Sequence, residues 1–415
     1  MSQSDSKSAT VPGIRDMLAR LISLPSISSA SAKWDHSNEP VVRTLAEWLE
    51  ALGFSVEILE VPGMPGKYNL IGTLGSGPGG LVLSGHTDTV PFDDKRWQSD
   101  PFTLTERDNR WYGLGTCDMK GFFPLAIEAA RAFVNEDLKQ PLIILATADE
   151  ESSMDGARAL AEAGKPKARY AVIGEPTSLK PVRMHKGIMM ERLKFEGQSG
   201  HSSNPALGRN AMEGMHEALT ELLALRSGWQ EKYRNPNFEV QFPTLNLGCI
   251  HGGDNPNRIC AQCELHFDLR PLPGMNMETL RQTILSKVQP IAERRELSLE
   301  FEPLFDGVPP FETPADAALV KACEKLTGHT AHAVAFATEA PWLQKLGLET
   351  LVMGPGSIDQ AHQPDEFIEL SQLSQPLKYC EGLSDSFAFK TESGSNRGLN
   401  TVGSPLQNTP VNTSL

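Results

Sequence analysis

Short apolar runs that stop abruptly at polar residues dominate the first half of this chain. They are YNLIGT (68–73), LVLS (81–84), LIILATA (142–148) and AVIG (171–174). Their length and branched side chains suit strands covered on both faces. A helical stretch near 120–134 separates the second run from the third. Residues 14–22 (IRDMLARLI) and 41–52, with Val42, Leu45, Leu49 and Leu52, place apolar residues three and four apart and also predict helices. Strands alternating with helices predict an α/β fold: a mostly parallel central sheet flanked by helices.

The pattern changes near 184. A half-exposed strand is expected at 187–197 and a helix at about 209–226. Strands at 244–250 and 259–269, a helix at about 277–294 and a strand at 297–303 complete the segment. This strand–helix–strand–strand–helix–strand order predicts an α+β unit of the ferredoxin type. The first pattern resumes with a helix at 314–327 and a strand at 349–353. The chain thus divides into an α/β domain in two parts, 1–183 and 305–383, around an inserted domain, 184–304. Residues 384–415 are rich in Ser, Asn, Thr, Gly and Pro and lack apolar periodicity, so a disordered tail is expected.

The 415 residues and 40% apolar content leave room for two cored domains. A formal charge of -14 argues against a nucleic-acid surface. No apolar run is long enough for a membrane span, and the polar start MSQSDSKSATVPG lacks the core of a secretory signal. A cytoplasmic protein is the expectation, with its six cysteines as thiols. Cys260 and Cys263 form one CxxC in a strand-like stretch, where positions three apart would face opposite sides. They are read as buried free thiols.

Potential metal ligands recur at the ends of the apolar runs. His86 closes LVLSGH. Asp88, two residues on, could fix its tautomer, although a polar loop reads equally well. Asp118 lies in GLGTCDMKGFF, a turn opening a helix. It is either a helix N-cap or a carboxylate able to bridge two cations. Glu150 and Glu151 follow LIILATAD. One could bind metal while the other takes a proton from water, or both could form a solvated turn. Glu175 ends YAVIGEP, and His362 lies in the loop GPGSIDQAHQPDE. Each has an ordinary reading as a rim charge or exposed loop residue. Jointly, five N/O donors beyond strand ends of one domain predict a two-metal site suited to Zn, Co or Mn. His201 in GQSGHSS reads as a loop or cap residue. Asn257, Arg258 and Arg270 lie in GGDNPNRICAQCELHFDLRP, and an Arg there could hold a carboxylate through paired hydrogen bonds.

The strings SGHTDTVP, GLGTCDMKG, DEE, GEP, GHSS and AHQPDE, in this order, resemble the zinc aminoacylase and carboxypeptidase family over about residues 10–370. The resemblance implies that His86, Asp118 and Glu175 hold one divalent metal ion, Zn or Co. Asp118, Glu151 and His362 would hold the other, with Asp118 bridging. It implies Asp88 as orienting residue, Glu150 as general base and acid, and His201 as an oxyanion stabiliser reaching in from the partner of a homodimer. Asn257 and Arg270 would contact substrate, with Arg258 a weaker candidate, and the inserted domain would serve as lid and dimer interface. The longer strings, among them HKGI, ATEAPWLQKLG and LVMGPGSIDQAHQPDEF, resemble one branch most. That branch implies hydrolysis of an N-acylated amino acid, N-acetyl-L-ornithine, to ornithine and acetate in arginine biosynthesis. Desuccinylase, aminoacylase and dipeptidase activities are the sister expectations. A non-catalytic metabolite-binding relative would have lost ligands that are present here. The family continues past AHQPDE with an amphipathic helix, which SQLSQPLKYCEGL (371–383) matches poorly, with Pro376 at its middle.

Overall fold

The computed structural model describes residues 11–93 and 95–373, with residues 378, 379, 382, 383 and 387 beyond them. Two main sheets organise these residues. At the centre of the larger, strands Leu142–Thr147, Leu81–His86, Tyr170–Pro176 and Glu349–Gly354 lie side by side in that order and run parallel. Every residue of the first three is buried. Alternate side chains serve opposite faces. Leu83, Ile144 and Val172 pack with Val42, Leu45 and Leu49 of helix Glu39–Ala51 and with Phe122 and Phe123 of helix Phe122–Arg131. Val82, Ile143 and Ile173 face Leu160 and Leu343 of helices Asp155–Ala163 and Ala340–Lys345.

Outside its middle the sheet is mostly antiparallel, although His332–Val334 joins Val182–His185 in parallel. Strand Tyr68–Leu74 pairs antiparallel with Leu142–Thr147, and Ser55–Glu60 adds antiparallel outside it. On the far side Val182–His185 carries Phe311–Glu312, again antiparallel. Ser55–Glu60 has no buried residue, which explains why no apolar run announces it.

The second sheet orders Thr244–Gly252, Gln262–Arg270, Met189–Glu196 and Ser298–Pro303, all antiparallel. Helices Ala211–Lys232 and Met277–Arg295 share its core. Along Met189–Glu196 the buried positions are Met189, Glu191, Leu193 and Phe195, the alternation of a strand with one covered face. Cys260 and Cys263 are both buried and unpaired. The expectation that they face opposite sides fails because Cys260 precedes the strand, where the alternation does not apply.

A few described residues follow Leu373. Tyr379, Leu383 and Phe387 are helical, stand four residues apart and pack on the core of the larger sheet. Phe387 lies against the Tyr170 ring, with centroids 4.3 Å apart. Leu383 is fully buried. Phe387 belongs to the stretch expected as a disordered tail, yet it packs on the same core as Leu383. The rest of that tail, Pro376 and residues 1–10 lie outside the described residues. Among the described residues no helix is long and apolar enough to cross a membrane.

Candidate metal centre

Parallel strands carry their carboxyl ends to one edge, and polar residues follow there. His86 pairs in register with Thr147, and Gly354 with Pro176. Hence His86, the 148–151 turn, Glu175 and the loop after Gly354 all meet at that edge. Helix Phe122–Arg131 is pressed hard against it. A Cβ on Gly174 would stand 2.1 Å from the Phe122 ring, and one on Gly85 would stand 2.8 Å from Met119 Cε. The glycines before Glu175 and His86 therefore let the turn bearing Asp118 approach both.

The potential ligands converge in two groups that share Asp118. In each, His86 with Asp118 and Glu175, and Asp118 with Glu151 and His362, the ligand atoms lie within 4.8 Å of one another. His86 Nε2 is 3.0 Å from Asp118 Oδ1 and 3.9 Å from Glu175 Oε1. His362 Nε2 is 3.0 Å from Glu151 Oε2 and 3.5 Å from Asp118 Oδ2. Thus the two oxygens of Asp118 face different histidines. The helix behind it is capped by Gly121, so the N-cap reading of Asp118 is not the observed one.

Asp88 is buried beneath this cluster. Its Oδ1 is 3.6 Å from His86 Nδ1, while its backbone carbonyl lies at 3.1 Å. Its two carboxylate oxygens accept the backbone N–H groups of Glu150 and Glu151, at 3.3 and 3.1 Å. The Glu150 carboxylate has no hydrogen-bond partner among the described residues.

Burial, then neighbouring carboxylates, push Glu150 and Glu175 well above the usual range, and Glu151 upward as well. The foremost of those neighbours is Glu175 for Glu150, and Asp118 for Glu151 and Glu175. For Asp118 burial acts in the same upward sense, but hydrogen bonds from His362 and His86 outweigh it and hold the group low. His362 is raised to about 10 by Asp118 and Glu151. Burial opposes charge on His86, yet Asp118, Glu175 and Asp88 drive it well above its ordinary value. The protein has gathered more buried negative charge than two imidazoles can offset. Glu151 Oε1 and Glu175 Oε1 are buried without a hydrogen-bond partner among the described residues. Buried, unsatisfied acceptors in an N/O donor set are what hard or borderline divalent cations complete. The residues present fit two such ions.

Two further carboxylates at the centre had no role in the sequence reading. Glu366, four residues after His362, accepts three backbone N–H groups from the Asp118 turn. Burial pushes it up to about 8. Glu339 accepts the Thr147 hydroxyl at 2.9 Å, its other oxygen is buried without a hydrogen-bond partner among the described residues, and burial raises it to about 7. Both stand in strings already quoted, AHQPDEF and ATEAPWL, but a lone loop acid carries no local signal of burial.

The residues of the second sheet lie elsewhere. His201 is exposed, its Nδ1 accepting from the Ser203 hydroxyl at 2.7 Å. Its backbone pairs with Arg258, and Ser202 N–H donates to the Asn257 carbonyl. Arg258 is tied to Asp254 at 2.5 Å, and Arg270 Nε donates to both oxygens of Asp268. Among the described residues no hydrogen bond or ion pair joins His201, Asn257, Arg258 or Arg270 to the ligand cluster.

Comparison with known proteins places this geometry. The chain is 50% identical over 377 residues to the acetylornithine deacetylase of Proteus mirabilis (strain HI4320), covering 91% of this chain and 97% of that protein. It is 52% identical over 359 residues to the acetylornithine deacetylase of Klebsiella pneumoniae (strain 342), covering 86% and 94%. Its fold is similar to that of aminopeptidase PepT from Bacillus cereus, with a TM-score of 0.70 at 18% identity over 91% of this chain and 98% of that one. Residues 82–384 match the pattern of Peptidase family M20/M25/M40. That stretch takes in all five converging ligand residues and the whole of the second sheet, and the chain belongs to Peptidase family M20/M25/M40.

Proposed function

We propose that this chain is a two-metal amide hydrolase that removes the acetyl group from N-acetyl-L-ornithine, giving ornithine and acetate for arginine biosynthesis. The observation that carries it is the pair of ligand groups joined by Asp118, with an unengaged carboxylate, Glu150, beside them. The curated relatives at about half identity supply the substrate. His86, Asp118 and Glu175 hold one ion and Asp118, Glu151 and His362 the other, each ion Zn or Co. When bound, such ions polarise the amide carbonyl and make water a nucleophile at neutral pH.

The side chains do the rest. Glu150 accepts the proton from the attacking water and returns it to the departing amine nitrogen. Its rise with burial favours the protonated carboxyl that the second task needs. Asp88 holds the His86 ring and the 150–151 turn in one frame. His201 acts from the second subunit of a homodimer, donating to the developing oxyanion. Asn257 and Arg270, with Arg258 less directly, bind the substrate's carboxylate; residues 184–304 form the lid and dimer interface around the catalytic parts 1–183 and 305–383. The enzyme works in the cytoplasm.

The deciding experiment is deacetylation of N-acetyl-L-ornithine by the purified protein, after chelation and after return of Zn or Co. Activity should vanish and come back. Metal binding without ornithine release, but with turnover of N-succinyl-diaminopimelate or a dipeptide, would move the substrate to a sister class. Absence of metal binding would overturn the metal centre itself.

A further inference from the structure

We infer that Glu366 is a positioning residue that sets Asp118 between the two metal positions; the inference rests on the two-metal reading above. Strand Phe367–Glu369 pairs antiparallel with Arg110–Tyr112. At the end of this ladder Gly113 N–H donates to the Glu366 carbonyl at 3.1 Å. The Glu366 side chain then takes over where the ladder stops. Its Oε2 accepts Gly115 N–H at 2.9 Å, and its Oε1 accepts Cys117 N–H at 2.7 Å and Asp118 N–H at 2.9 Å. Four amides of the segment 113–118 therefore converge on one residue.

Glu366 is buried and forms no ion pair among the described residues. Its partners are backbone donors alone, an arrangement that fixes backbone conformation. It fixes the conformation of the turn that must aim both oxygens of Asp118. Glu366 also shares its loop with His362, whose backbone is left-handed, with φ of 60°. The loop bearing one ligand and the turn bearing the bridging ligand are thereby a single unit. Groups that orient ligands typically contribute 10–100-fold to metal affinity.

The test is calorimetric titration of chelated protein with Zn or Co, for the wild type, Glu366→Gln and Glu366→Asp. Gln places an amide N–H₂ against at least one of the three donors; Asp keeps both acceptor oxygens but withdraws them by one methylene. Ile368→Ala is the control. It removes buried packing two residues away and should lower the melting temperature while leaving affinity unchanged. Both Glu366 variants should lose affinity about 10–100-fold at both positions together, because Asp118 belongs to both. Cobalt absorption should shift in step. Wild-type affinities in either folded Glu366 variant would overturn the role, as would an equal loss in Ile368→Ala. A wild type that takes up no metal would overturn the two-metal reading, and this role with it. A wild type that binds both ions alongside unaffected variants would overturn the positioning role alone.

Discussion

The Asp88 carboxylate accepts the backbone N–H of Glu151 at 3.1 Å, so the group that steadies His86 also sets a ligand of the other metal position. One buried side chain thus spans two strand ends. Asp88→Ala should weaken metal binding about 10–100-fold, as loss of ligand-orienting groups does. Because it supports both positions, the loss should appear in both phases of a zinc titration. A loss confined to one phase would refute the shared support.

Glu150 is expected to matter for turnover and little for metal content. Glu150→Ala should retain two ions per chain by elemental analysis while kcat falls by at least about 10²–10⁴-fold. Near-normal turnover in a fully loaded variant would remove Glu150 from the proton path.

His362 serves only the group of Asp118 and Glu151. His362→Ala should therefore bind one ion tightly, through His86, Asp118 and Glu175. Stoichiometry by titration decides this. Two tight ions, or none, would contradict the division of ligands.

His185 gives the chain a pH dependence away from the metals. Burial lowers it to about 4. It lies 5.2 Å from the Phe311 ring, its Nδ1 donates to the Lys186 carbonyl, and its Nε2 accepts Thr338 N–H. The unfolded chain takes up this proton near pH 6.5, while the folded one resists until about 4. Stability from this group is thus full above about pH 6.5 and lost as pH falls towards 4. The loss is on the order of 3 kcal/mol. Denaturant unfolding of wild type and His185→Gln at pH 7 and pH 5 should show a smaller pH dependence in the variant. Equal dependence would mean that His185 is not held neutral.

Leu383 should contribute stability rather than chemistry. Leu383 is fully buried, and truncating a buried Leu to Ala costs about 2–5 kcal/mol. Leu383→Ala should lower the denaturant midpoint while the metal-loaded enzyme keeps its KM. An unchanged midpoint would show that this packing adds nothing.

What could be read from the sequence follows a physical pattern. His86, Asp118, Glu151 and Glu175 each sit beside a fully buried strand or a glycine-rich turn, and their places needed only the rule that parallel strands end together. His362 followed because its strand, Glu349–Gly354, is likewise apolar. Glu366 and Glu339 were hidden because a single acid in a loop looks the same whether solvated or buried. The antiparallel edge Ser55–Glu60 was hidden by its exposure. The end of the chain misled more. Pro376 and a polar composition hid Tyr379, Leu383 and Phe387, which pack on the core at a spacing of four residues.

The larger sheet also fixes an order of events during synthesis. Strand Glu349–Gly354 occupies an interior slot, between Tyr170–Pro176 and Val182–His185. The ribosome makes both neighbours first, then the whole of the second sheet, before that strand exists. The nascent sheet must keep an open seam through more than a hundred residues of translation. On the two-metal reading, one group of candidate ligands is complete by Glu175, while the other waits for His362. Glu366 also comes after that strand, so the turn bearing Asp118 gains its three side-chain acceptor contacts only once the seam can close.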